Sequence, residues 1–77
     1  MPERTLSVDE MKELDLRFTY HPPKGDQAPR YEDLRAKAKE LAINIMSKTP
    51  VGREQALALT HLEQAIFYAN AAIARRE

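Results

Sequence analysis

Apolar positions along the second half of the chain repeat at the spacing of a helix. Tyr31, Leu34, Ala38, Leu41 and Ile45 recur at alternating steps of three and four, and Leu59, Leu62, Ile66, Ala69 and Ile73 do the same downstream. Each set is one stripe on a helix, predicted here from about Gln27 to Ser47 and from about Arg53 to Ala74. Ala42 and Met46 widen the first stripe, while Glu32, Asp33, Lys37, Lys39 and Glu40 mark its solvated side. Between the stripes, Thr49-Pro50-Val51-Gly52 ends one helix and turns the chain, because proline cannot continue a helix and glycine relaxes the backbone. The two stripes therefore predict an antiparallel hairpin with arms of roughly 30 Å, at ~1.5 Å per residue.

A second apolar set on the last helix changes the picture. Leu57, Ala58, Ala65, Phe67, Tyr68, Ala72 and Ala74 lie outside the stripe. A helix apolar around most of its circumference is buried on more than one side, which a two-helix hairpin alone cannot do. The pattern predicts a homo-oligomer joined through this helix, against the alternative of a monomer whose N-terminal helix covers the second face.

Upstream the signals are shorter. Ser7 and Glu10 have the spacing of a capping box, opening a helix from about Val8 to Leu14. From Asp15 to Tyr20 the period becomes two, with Leu16, Phe18 and Tyr20 alternating with Asp15, Arg17 and Thr19, the mark of an extended segment. Pro22 and Pro23 stiffen its exit, Lys24-Gly25-Asp26 makes a turn, and Asp26 is the expected N-cap of the next helix. The expected fold is all-α and forms one domain over residues 1–77. It comprises an N-terminal segment with a short helix (1–15), an extended aromatic and proline arm (16–26) and a helical hairpin (27–75).

Composition narrows the partners. The chain has 77 residues and no cysteine, so neither a disulfide nor a Cys/His zinc site reinforces a core whose margin is roughly 3–5 kcal/mol. Twelve basic and twelve acidic side chains cancel, which argues against a sequence-independent grip on long nucleic acid. No run of 18 apolar residues and no basic-then-apolar leader stands in the sequence, so neither a membrane span nor export by that route is expected.

Catalytic apparatus is not expected. His21 and His61 have no neighbours at metal-ligand spacing, Gly25 and Gly52 stand alone, and the three serines and threonines in loops have no neighbouring His/Asp arrangement. No metal, cofactor or catalytic residue is assigned. Binding has more support. Phe18 and Tyr20 offer ring faces of the kind that stack on nucleobases, and Lys24, Arg30 and Arg35 follow within reach of a ligand's phosphates. The plainer alternative makes the two rings core residues and the cations solvated ones.

Several ordered blocks carry a family resemblance: Arg17-Phe18-Thr19-Tyr20-His21-Pro22-Pro23, Arg30-Tyr31-Glu32-Asp33-Leu34-Arg35, Arg53-Glu54-Gln55-Ala56-Leu57-Ala58-Leu59-Thr60, Leu62-Glu63-Gln64-Ala65 and Ala69-Asn70-Ala71-Ala72-Ile73-Ala74-Arg75. Over about Leu16 to Arg75 the chain resembles small phage proteins that share the anti-CBASS/anti-Thoeris hairpin domain, and the stand-alone hairpin looks like the anti-CBASS branch. The resemblance implies a sponge in the host bacterial cytoplasm. Such a sponge binds cyclic oligonucleotide second messengers without cleaving them and so keeps CBASS effectors inactive. It implies a homohexamer, with cyclic dinucleotides between neighbouring protomers and cyclic trinucleotides where three protomers meet. Carried onto this sequence, the dinucleotide residues are Phe18 or Tyr20 as the ring and Arg35 or Lys24 as the cation, with His21 and Pro22 beside them. Arg53, Asn70 and Arg75 are the trinucleotide set. Ala28-Pro29 and Val51-Gly52 depart from the family's pattern at the pocket rim and the hairpin turn. A different class of function, a protein-interaction module docking a host protein through the third helix, is the alternative.

Overall fold

The computed structural model describes residues 3–77, which form three helices and no strand: α1 (Val8–Phe18), α2 (Gln27–Lys48) and α3 (Arg53–Arg76). The expected N-terminal segment, residues 1–15, is described only from residue 3, and residues 1 and 2 lie outside the described part. α1 opens with the predicted capping box. The Glu10 backbone N–H donates to the Ser7 hydroxyl at 3.1 Å, and the Ser7 N–H donates to the Glu10 carboxylate at 3.0 Å. Arg4 forks onto the same carboxylate at 2.9 Å through both guanidinium nitrogens.

α1 runs four residues beyond the predicted end at Leu14. The alternation of Leu16, Phe18 and Tyr20 does not mark a strand: Leu16 is half-buried, whereas Phe18 is 83% exposed and Tyr20 71%. What extends the helix is a charge pattern. Glu13 pairs with Arg17 one turn on at 2.7 Å, and its carboxylate takes a second fork from Arg76 of α3 at 2.8 Å. Extended backbone starts at Thr19, with φ −110° and ψ 140°, so the arm is shorter than predicted.

α2 and α3 match the predicted helices to within one or two residues at their far ends. The expected cap by Asp26 does not form; its carboxylate pairs with Arg30 at 3.1 Å. Gln27 does the work at this end and is buried, only 4% exposed. Its Oε1 accepts from the Lys24 N–H at 3.1 Å, and its Nε2 donates to the Ile73 carbonyl at 3.4 Å and to Glu77 at 3.2 Å. Gly25 sits at φ +57°, the left-handed backbone that the Lys24–Gln27 turn requires there and that costs glycine nothing. Glu77 also takes a fork from Arg30. At the opposite end Gln55 Nε2 donates to the Met46 and Thr49 carbonyls at 3.3 and 3.1 Å, satisfying groups the end of α2 leaves open. These ties fix an antiparallel hairpin.

The seams meet as predicted except at Leu41 and Met46, the latter 57% exposed. Tyr31, Leu34, Ala38, Ala42 and Ile45 of α2 and Leu59, Leu62, Ile66, Ala69 and Ile73 of α3 are all half-buried, whereas Leu41 turns outward at 50% exposure. Among the described residues no hydrophobic side chain is fully buried. The reason is geometric. The molecule measures 52 × 41 × 13 Å, and 13 Å is about one helix diameter, so the helices lie in a single layer. Its radius of gyration is 17.5 Å, against about 11–12 Å for a compact chain of this length. Domains enclose a core between two packed layers; one layer leaves both faces open. Among the described residues no helix is long and apolar enough to cross a membrane.

Candidate functional site

Where the arm crosses the hairpin, the chain forms a groove of about 450 Å³, within the size range of small-molecule sites. Its position follows from how the arm is tied. His21 Nε2 lies 2.7 Å from the Leu16 carbonyl, and since a carbonyl can only accept, Nε2 carries the proton. This bond caps the last turn of α1 and folds the arm back over it. Arg75 of α3 donates to the next carbonyl, that of Arg17, at 3.4 Å. Two nitrogen donors thus meet the end of α1, where the helix dipole is negative. Pro22 and Pro23 hold the following backbone extended, so Tyr20 stands out as a wall of the groove and the chain returns to α2 through the Lys24–Gln27 turn.

Charge is distributed unevenly around this groove. Arg17, Arg35 and Arg75 line it together with Tyr20, His21 and Tyr31, and no carboxylate does. Arg35 makes no ion pair among the described residues. In a chain of zero formal net charge that segregation is specific to the site. Arg17 has an acid partner, Glu13 at 2.7 Å, and Glu77 is held by Arg30 outside the lining. Hydrogen bonds from Arg76 and then Arg17 lower the Glu13 carboxyl to about 2, and those from Arg30 and then Gln27 lower Glu77 to about 2 as well. Both are ionised throughout the neutral range. The floor supplies a further polar group: the Asn70 side chain lines it, and its buried Oδ1 has no partner among the described residues. Three guanidinium groups, two phenol rings and an amide can hold a planar, phosphate-bearing ligand. Among the described residues no three His, Cys, Asp or Glu side chains gather as for a metal. His61 pairs with Gln64 at 3.2 Å.

The sequence-predicted residues fall in three places. Tyr20, His21, Arg35, Asn70 and Arg75 converge on this groove, so residues expected in two separate pockets share one within a protomer. Phe18, Pro22 and Lys24 are exposed and outside its lining, Phe18 because the extended α1 carries it to the helix end. Arg53 stands at the start of α3, about 25 Å along the helix from Asn70, and meets neither Asn70 nor Arg75 within one chain. Arg17, Thr19 and Tyr31 line the groove without having been singled out. The period-two pattern sets Arg17 and Thr19 on the face opposite Leu16, Phe18 and Tyr20, and the helical stripe sets Tyr31 in the seam. A helical reading of Glu13 with Arg17 was the available signal for the first.

A second groove of about 500 Å³ continues along the same hairpin, between Ala38 and Ala42 of α2 and Leu59, Ile66 and Phe67 of α3. It shares Arg35 and Asn70 with the first.

Comparison with known proteins gives one match: the family model described as Acb2/Tad1, hairpin domain, covers residues 11–74. No curated protein and no solved structure matches the chain.

Proposed function

The chain belongs to the Acb2/Tad1 hairpin family, which points to a phage anti-defence role, and from that premise we propose that it is a sponge for cyclic oligonucleotide second messengers. It binds cyclic dinucleotides, and cyclic trinucleotides as a second class, and sequesters them without cleaving them. The observation that supports this reading is the arm groove itself, with three arginines, two tyrosine rings and no carboxylate in its lining. A stacked ring contributes ~1–3 kcal/mol per base, and a hydrogen bond to a charged group about 1.5–3 kcal/mol. One ring and one free guanidinium from each of two protomers match a ligand with two bases and two phosphates. The single-layer fold supports the homo-oligomer that such a pairing needs, proposed as a hexamer. Action in the host bacterial cytoplasm follows from where these messengers are made, and no catalytic step is assigned. Mixing the protein with a cyclic-dinucleotide-activated effector tests the reading. Stoichiometric protein should silence the effector, and heat-denaturing the protein should restore activity by releasing intact messenger. Effector activity that is unaffected by excess protein would refute it.

A second reading, docking of a host protein through α3, rests on Phe67 and Tyr68, which are 62% and 74% exposed. It is favoured if Tyr68→Ala abolishes effector silencing while Tyr20→Ala and Arg35→Ala do not.

A further inference from the structure

The arm groove carries more free positive charge than the ligand proposed for it supplies in negative charge. Of its three arginines, Arg17 is matched by Glu13 at 2.7 Å, while Arg35 and Arg75 enter no ion pair among the described residues and no carboxylate joins them in the lining. A cyclic dinucleotide shared by two protomers brings one phosphodiester to each groove, and a phosphodiester carries a single negative charge. One cation per groove is left over. Arg75 is half-buried, so salt screens its charge less than that of an exposed side chain.

The hairpin brings these two free cations toward each other. Gln27 meets Ile73 at one end and Gln55 meets Met46 at the other, so Arg35 stands level with Ala65, about 14 Å along the hairpin from Arg75. Helical side chains lean toward their own N-terminus. Because α2 and α3 are antiparallel, that lean carries Arg35 toward the level of Tyr31 and Arg75 toward the level of Ala71, which face each other across the same groove. Arg75 gives one nitrogen to the Arg17 carbonyl at 3.4 Å, and its other donors stay open.

Two converging guanidinium groups suit a phosphate with more charge and more free oxygens than a diester has. A phosphate monoester offers three terminal oxygens and about −1.5 to −2 charges at neutral pH. Those oxygens can accept from both arginines, and Tyr20 in the same lining gives the base a ring to stack on. We infer that the arm groove of a single protomer also binds linear nucleotides that end in a phosphate monoester, with Arg35 and Arg75 clamping that phosphate. Linear and cyclic ligands then exclude each other. The inference needs one chain only, so it stands or falls separately from the binding of cyclic dinucleotides.

Isothermal titration of the full chain with adenosine 5′-monophosphate, its methyl phosphate ester and ribose 5-phosphate tests it. The methyl ester keeps the base, sugar and phosphorus but has one charge. The monophosphate should bind about tenfold tighter than the methyl ester at neutral pH. It should also bind tighter than ribose 5-phosphate, which has no base for Tyr20. Lowering the pH through about 6, where a phosphate monoester passes from two charges to one, should bring the monophosphate down to the level of the methyl ester. Arg17, His21 and Tyr31 also line the groove and face both ligands alike, so the ratio of the two affinities isolates the phosphate. Arg35→Ala and Arg75→Ala should each make the two ligands bind alike at neutral pH. Should Arg75→Ala disturb the arm, the pH series on the wild-type chain still decides. Equal affinity for monophosphate and methyl ester, a ratio indifferent to pH, or no binding of either would overturn the inference; so would ribose 5-phosphate binding as tightly as the nucleotide. Monophosphate bound at the predicted ratio with no cyclic dinucleotide bound would contradict the sponge proposal alone, and the reverse would contradict this inference alone.

Discussion

The hairpin and the arm end of this molecule are held by different forces. α2 and α3 meet along apolar stripes, with Leu34, Ala38 and Ile45 facing Leu59, Leu62 and Ile66. α1 and the arm are fastened by polar ties: Glu13 to Arg76, Arg75 to the Arg17 carbonyl, and His21 to the Leu16 carbonyl. Apolar contact depends far less on pH and ionic strength than an ion pair does, so the seam persists where the polar ties weaken. Exposed ion pairs are weak and are screened by salt. The groove is built where the two kinds of attachment meet, with a rigid floor from α2 and α3 and a wall the molecule can adjust. A ligand that bridges Tyr20 on the wall and Arg35 on the floor therefore strengthens an attachment that is weak by itself.

The largest effect expected from breaking this contrast is on the hairpin. Leu62→Ala removes part of the seam and should lower stability by about 2–3 kcal/mol, read as a fall in the urea midpoint of the far-UV circular dichroism signal. The midpoint should barely move between low and high salt. Next comes the floor of the groove. Arg35→Ala should weaken binding of a cyclic dinucleotide by about 2 kcal/mol, roughly thirtyfold, without changing the urea midpoint, because the side chain makes no ion pair that folding needs. Tyr20→Ala on the wall should cost binding about 1–2 kcal/mol through lost stacking. Phe18→Ala sharpens the point: Phe18 is exposed and outside the lining, so an equal loss there would show that a second protomer brings this ring to the ligand.

Acid separates the two regions without any mutation. Glu13 and Glu77 are lowered from the usual 4.5 to about 2 by their arginine partners. A carboxyl depressed in the folded state stabilises it above the ordinary value, and that contribution fades as the pH falls from about 4.5 through about 2. In that window α1 and the mouth of the hairpin should loosen while the seam holds. Hydrogen exchange should show residues 8–18 losing protection before residues 31–45 and 57–73. Loss of all three together would mean that the arm end is not a separate unit. Glu13→Gln at neutral pH should reproduce the loosening of α1 and leave the mouth closed, the smallest of these effects.

What the sequence made legible follows the same division. The helices and seam of the hairpin were readable because a stripe of apolar residues at steps of three and four is a local pattern, and of the α2 seam residues only Leu41 and Met46 turn outward. The end of α1 was not, because the alternation of Leu16, Phe18 and Tyr20 outweighed the Glu13–Arg17 pairing, and the second tie on Glu13 comes from Arg76, 63 residues away. Nor was the start of α2, where Gln27 takes the closing role expected of Asp26 by reaching Ile73 and Glu77. Among the site residues, Tyr20, His21 and Arg35 stood out as a ring, an imidazole and a cation around a proline pair. Arg17 and Tyr31 did not, since only the folded arm brings them beside Asn70 and Arg75.

The sequestration proposal is tested most directly by isothermal titration of the intact chain with a panel of cyclic di- and trinucleotides, followed by chromatography of the ligand recovered after denaturation. The account predicts that at least one cyclic dinucleotide binds at a fixed ratio to subunits and returns chemically unchanged. Absence of binding across the panel, or recovery of a linearised product, would contradict it.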